Sequence, residues 1–163
     1  MNFGISAARA LLPVLLGGAL AASADDLCTR LAARSGGRQQ TAAGQAANAA
    51  PAPRPLLVVK SGAPISVEWS VVNADKPGAI RDVTLHCFLA PESTAGQRET
   101  PKLGPDTVYE SALTMDFEAK GRGAADFVLQ APAPGVYLLR VETIGAAKDH
   151  GHEHYAAMDV KVE

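Results

Sequence analysis

From Leu56 onward, large apolar residues recur at every second position, and Gly/Pro clusters divide the recurrence into short runs. A two-residue period places alternate side chains on opposite faces of an extended strand, so each run has one apolar face to bury against a second layer. Leu56 to Lys60 is a short first run. Ile65, Val67, Trp69 and Val71 alternate with Ser66, Glu68 and Ser70. Val83, Leu85, Cys87 and Leu89 alternate with Asp82, Thr84, His86 and Phe88. Tyr109, Leu113, Met115 and Phe117 make a fourth run. Ala125, Phe127 and Leu129 make a fifth, after a Lys120-Gly121-Arg122-Gly123 turn that should close a hairpin with the fourth. Tyr137, Leu139 and Val141 form the sixth run, and Ala156, Met158, Val160 and Val162 the seventh.

Two antiparallel sheets packed face to face bury such runs most economically. The expected fold is therefore all-β, a seven-stranded antiparallel sandwich over residues 56–163. The runs beginning at Leu56, Ile65, Ala125 and Tyr109 should face those beginning at Val83, Tyr137 and Ala156. Gly135-Val136-Tyr137-Leu138-Leu139, following Pro132 and Pro134, resembles the tyrosine corner of immunoglobulin-like folds. Leu139 stands where antibody domains place a cysteine, and Trp69 falls on the second run. The domain is thus more similar to fibronectin-type and bacterial immunoglobulin-like modules. That resemblance implies an architecture and carries no chemistry.

The first third reads differently. Arg9, the apolar stretch Ala10 to Leu20 and the small residues Ala22-Ser23-Ala24 read as a secretory signal peptide over residues 1–24. The stretch is well short of the ~20 residues that cross a bilayer, and no second span follows. The expectation is a periplasmic or secreted protein with no transmembrane anchor after cleavage. Residues 25–55 read as a disordered tail, with a short helix over Asp25 to Arg34. From Ser35 to Pro55 the composition is Gly, Gln, Ala, Asn and Pro. Such a segment lacks apolar surface to offset the ~1–2 kcal/mol per residue that ordering a backbone costs.

Fifteen Lys and Arg against 17 Asp and Glu leave no basic field for a polyanion, so nucleic acid is excluded as a partner. The two cysteines, Cys28 and Cys87, allow two readings. An oxidising compartment permits a disulfide closing a loop of roughly 60 residues, worth ~4 kcal/mol. Core parity instead makes Cys87 a small buried hydrophobe, with Cys28 free or paired to another chain.

Three of the four histidines fall in His150-Gly151-His152-Glu153-His154, between the sixth and seventh runs. Strand residues two apart project from one face, ~6.5–7 Å apart, so a His-x-His pair can converge on one ion. His150, His152 and His154, with an oxygen from Asp149 or Glu153, are the candidate ligands of a Cu, Zn or Ni ion. A solvated hairpin tip is the plainer alternative. His86 and Phe88 face away from the core and, with Leu138 and Tyr155, make a candidate contact patch on the outer face of a sheet. Scattered single residues are the plainer reading there. Ala90 to Asp106 is longer than a usual connection.

The sequence contains no Gly-x-Ser-x-Gly, His-Glu-x-x-His or Cys-x-x-Cys, and it supplies no paired carboxylates arguable as acid and base. The expectation is a non-catalytic exported binding or accessory module that engages a protein or cell-envelope partner. The alternative is a periplasmic metal-binding protein using the histidine hairpin. No cofactor is fixed by the sequence; Cu or Zn belongs to that alternative alone.

Overall fold

The computed structural model describes residues 27–46, 52–73, 79–96, 106–144 and 154–163. These hold ten strands and no helix: β1 Leu27–Ser35, β2 Arg38–Ala43, β3 Gln45–Ala46, β4 Leu56–Val59, β5 Pro64–Asn73, β6 Ile80–Glu92, β7 Tyr109–Phe117, β8 Arg122–Gln130, β9 Gly135–Ile144 and β10 His154–Val162. They form two sheets, a four-stranded one in the order β2-β1-β5-β8 and a six-stranded one in the order β3-β10-β9-β6-β7, with β4 also on β10.

One core lies between the sheets. The four-stranded sheet contributes Leu31, Ile65, Val67, Trp69, Val71 and Leu129 to it. The six-stranded sheet contributes Leu57, Val83, Leu85, Leu89, Leu139, Val141, Met158 and Val160. These residues come from the alternating positions of each run, so the two-residue period gave the inward parity correctly.

The tail expectation is corrected. Residues 27–35 form a strand rather than a helix, and residues 38–43 pair with it through a hairpin whose Gly36 and Gly37 both have positive φ. Strand β1 then pairs with β5 from Leu27↔Asn73 to Arg34↔Ser66. Its inward residues are Thr29, Leu31, Ala33 and Ser35, all buried. Only one of them is large. A strand needs neighbours more than bulk of its own, and Trp69, in register with Leu31, supplies that bulk from β5.

The sheet membership of β4 and β7 differs from expectation, and this hairpin explains that of β4. Since β1 occupies the place beside β5, the chain crosses to the other sheet at Gly44 and adds β3 and then β4 to the edge of β10. Strand β3 is antiparallel to β10 while β4 is parallel to it, so the six-stranded sheet is mixed rather than purely antiparallel. A Cβ at Gly44 would collide with the Thr29 backbone carbonyl and hydroxyl, so the crossing depends on glycine.

Strand β7 pairs with β6 and β8 with β5, so the turn between β7 and β8 is a corner between sheets, not a hairpin. Lys120 has φ 56°, and the Gly121 amide donates to the Glu118 carbonyl at 2.7 Å. A side chain at Gly123 would press on Phe117 and Met115, which holds the corner close to the core. Tyr109 of β7 and Phe127 of β8 stack across the two sheets at 5.3 Å.

Strand β6 carries an irregularity between Ile80 and Val83. Asp82 has φ 54° there, and its amide donates to Asp116 Oδ1 at 3.0 Å. That bond, joined by Arg81, holds the Asp116 carboxyl below its ordinary range. At the start of β9 the Tyr137 hydroxyl donates to the Ala133 carbonyl at 2.8 Å, which pins the corner leading into that strand.

Candidate binding face on the six-stranded sheet

Alternation places His86, Phe88, Ala90 and Glu92 of β6 on the side of the six-stranded sheet away from the core. Leu138, Arg140 and Glu142 of β9 and Tyr155, Ala157 and Asp159 of β10 share that side. Register aligns them into rows: His86, Glu142 and Tyr155; then Phe88, Arg140 and Ala157; then Ala90, Leu138 and Asp159. Phe88, Ala90, Leu138 and Ala157 form a second apolar cluster, with Tyr155 packed against it.

The four residues expected as a contact patch are therefore brought together. They are not exposed as expected: His86, Phe88 and Leu138 are buried, and Tyr155 is half-buried. The reason is a partial third layer. Arg54, in the segment leading into β4, lays its side chain over the sheet onto Glu92 and Asp159, and Gly96, beyond β6, lies beside the Asp159 carboxylate. Residues 52–55, read from sequence as free linker, are thus fixed against the sheet.

Two polar groups border the apolar cluster. In the first, His86 stands between two carboxylates, with Nδ1 2.9 Å from Glu142 Oε1 and Nε2 3.0 Å from Glu110 Oε1. Carboxylates only accept, so the doubly protonated ring is the form that donates to both at once. Arg140 Nε donates to Glu142 Oε2 at 2.7 Å, and its guanidinium lies 4.0 Å above the Tyr155 ring. The Tyr155 hydroxyl reaches Gln45 Oε1, which also accepts from the Ala52 amide at 3.0 Å. One continuous set of contacts therefore runs from β7 across the sheet to residue 52. Glu110, 58% exposed at its side chain, is the end of that set open to solvent.

The second group is an ion triad. Arg54 Nη2 donates to Glu92 Oε1 at 2.7 Å, and its Nε lies 2.7 Å from Asp159 Oδ1. The side chains are 12%, 0% and 3% exposed for Arg54, Glu92 and Asp159. Because β6 and β10 flank β9, Arg54 must reach over β9 to touch both, close to the fully buried Leu138. Burial pushes the Glu92 carboxyl up to about 7; Arg54 opposes that rise and the Asp159 charge adds to it.

Sequence reasoning did not single out Arg54, Glu92, Glu110, Arg140, Glu142 or Asp159. Asp159 carried a visible signal, a carboxylate between Met158 and Val160 in an otherwise largely apolar run. Arg54 between two prolines carried none, since its role depends on a strand register that spans 105 residues of sequence.

Cys87 is a free thiol buried in the core, so the pairing with Cys28 is not formed. Cys28 lies on β1 in register with Val72, and Cys87 lies on β6 of the opposite sheet. Burial, and after it the Glu142 charge, raises the Cys87 thiol well above its ordinary value.

Of the proposed metal ligands, Asp149, His150 and His152 lie outside the described residues, as does Glu153. His154 is buried at the start of β10, opposite Thr143 of β9 and Ala46 of β3. Among the described residues no group of three or more His, Cys, Asp or Glu is placed to hold a metal ion. Among them also, no helix is long and apolar enough to cross a membrane.

No protein-family model matches the chain. No curated protein matches it either. A solved structure titled "Crystal structure of the C-terminal domain of wzt" is similar, with a TM-score of 0.48 and 10% identity, over 82% of this chain and 70% of that one. The chain is a β-sandwich of generic resemblance to other such modules, with no specific family shown.

Proposed function

We propose that this protein is an exported, non-catalytic binding module that engages a macromolecular partner of the cell envelope through the exposed Glu110 end of the outer face of its six-stranded sheet. One observation carries the reading. Over a buried apolar cluster, Glu110 is the solvent-open end of a set of charged and aromatic side chains already fixed by ion pairs and hydrogen bonds. A two-layer sandwich needs no ordered polar and aromatic surface on its outer side, whereas a recognition surface gains from one because little ordering remains to be done on binding. Export rests on the signal-peptide pattern of residues 1–24.

We further read the topology as immunoglobulin-like. The order β1-β5-β8 against β10-β9-β6-β7 and the Tyr137 hydroxyl bond support that reading. The metal-binding alternative gains no supporting observation from the described residues.

The test compares partner recovery from a native envelope fraction by the wild-type chain and two variants. Glu110→Lys changes the exposed end of the face, and Glu68→Lys changes the opposite sheet. Loss of a specific partner with Glu110→Lys alone supports the reading. Equal recovery by all three chains contradicts it.

A further inference from the structure

We infer that residues 52–55 form a proton-controlled latch, closed over the outer face of the six-stranded sheet by Arg54 and opened as the Glu92–Asp159 carboxylate pair becomes fully charged. The inference stands on the chain's own segments, so its outcome is independent of whether a partner binds that face.

The geometry defines the latch. Residue 52 is tied to Gln45 at the β3 end, and beyond Pro55 the chain is tied to β10 by β4. Between these anchors Arg54 alone reaches into the sheet face, across β9 to β6 and β10. Closure places Leu138 and Ala90, both on the outer side of the sheet, at 0% and 1% exposure.

The charge count makes the latch responsive. Two carboxylates and one guanidinium leave a net negative charge among side chains that are 0–12% exposed. A buried excess charge is expensive, and its simplest relief is one proton. Among the described residues, buried Glu92 Oε2 has no hydrogen-bond donor, and buried Asp159 Oδ1 has none beyond its ion pair with Arg54 Nε. Protonated Glu92 can donate to Asp159, and so answer part of that deficit.

Among the described residues, the neighbouring cations are committed elsewhere. On β9 Arg140 pairs with Glu142, and on β10 Lys161 pairs with Glu163. On β6 the nearest ionisable outer residue beyond Ala90 and Phe88 is His86, held by Glu110 and Glu142.

The direction follows from proton linkage. The closed form buries Glu92 and lifts its carboxyl to about 7, while an open form returns it toward the ordinary 4.5. The closed form therefore binds more protons, and mild acid favours it. Opening becomes easier as pH rises through that interval and levels off above it.

The Asp159 amide reports the latch, because its bond to Pro55 is the terminal bond of the β4–β10 ladder, on the residue next to Arg54. Hydrogen exchange of the full chain, followed by NMR and corrected for intrinsic exchange, would be measured at about pH 5.5 and about pH 8. The Asp159 amide should be several-fold more protected at the lower pH, and the interior Val141 amide equally protected at both. Glu92→Gln, which mimics the neutral acid, should keep Asp159 protected at both pH values. Arg54→Gln should leave it weakly protected at both. Equal wild-type protection at the two pH values would overturn the latch, as would a pH dependence that survives in Glu92→Gln. Should Arg54→Gln not fold, the wild-type and Glu92→Gln comparison decides alone.

Discussion

Leu31 of β1 lies in register with Trp69 of β5, and both side chains are buried in the core between the sheets. The first described strand is thus part of the body of the fold. Truncating Leu31 to Ala removes a fully buried side chain and should cost ~2–5 kcal/mol, comparable with Leu139→Ala in the opposite sheet. Urea denaturation of the two variants checks this. A Leu31→Ala variant as stable as wild type would return residues 27–35 to the status of a tail.

Gly44 marks the point at which the chain leaves β2 for β3. A methyl group there meets the Thr29 carbonyl and hydroxyl, so the two strands must separate to admit it. Gly44→Ala should lower stability by about 1–3 kcal/mol, the usual range for overpacking. Gly62→Ala provides a contrast: its φ of 74° strains an alanine, but no atom lies within 4 Å of the added carbon. A larger loss at position 62 than at position 44 would contradict the close approach.

Cys87 should be inert in the native state. Its thiol is 1% exposed, and burial holds it in the protonated form, whereas the thiolate is the reactive species. In a Cys28→Ser background, a thiol reagent should label Cys87 only as fast as the protein unfolds. Rapid labelling of the folded chain would show that Cys87 is not where the core places it.

The pH dependence of stability has a definite sign. Glu92 keeps its proton up to about 7 when folded and loses it near its ordinary 4.5 when unfolded, so the folded state binds more protons between those values. Unfolding free energy should therefore fall as pH rises through that window and stay level above it, as far as Glu92 is concerned. Asp116 and Glu163 shift the opposite way, and their contribution is lost in more acid solution, below the window. Glu92→Gln should be more stable than wild type at about pH 8, with the difference shrinking toward about pH 5. Parallel curves for the two proteins would show that Glu92 is not buried against Asp159.

All seven alternating runs of the sequence are strands, and parity separated Cys87 and Leu89, which face the core, from His86 and Phe88, which do not. That much is local, since it depends only on the extended backbone. Pairing is not local. Strand β4 joined β10 because β1 already held the place beside β5, and no property of Leu56 to Val59 alone specifies that outcome. The strands β1 and β2 escaped notice because their inward positions are mostly small or polar, such as Ala33, Gln40 and Ala42, and become stable only against the bulk of β5. The charged groups were hidden for a related reason. Glu92, Arg54 and Asp159 meet only after three separate segments are registered on one sheet.

The central claim is that the exposed Glu110 end of the outer face of the six-stranded sheet meets a partner. Site-specific photo-crosslinking in the native envelope tests it most directly, with the probe placed at position 110 and, separately, at position 68 on the other sheet. The account predicts a discrete adduct from position 110 that is absent from position 68. Adducts of equal yield from both positions, or from position 68 alone, would contradict it.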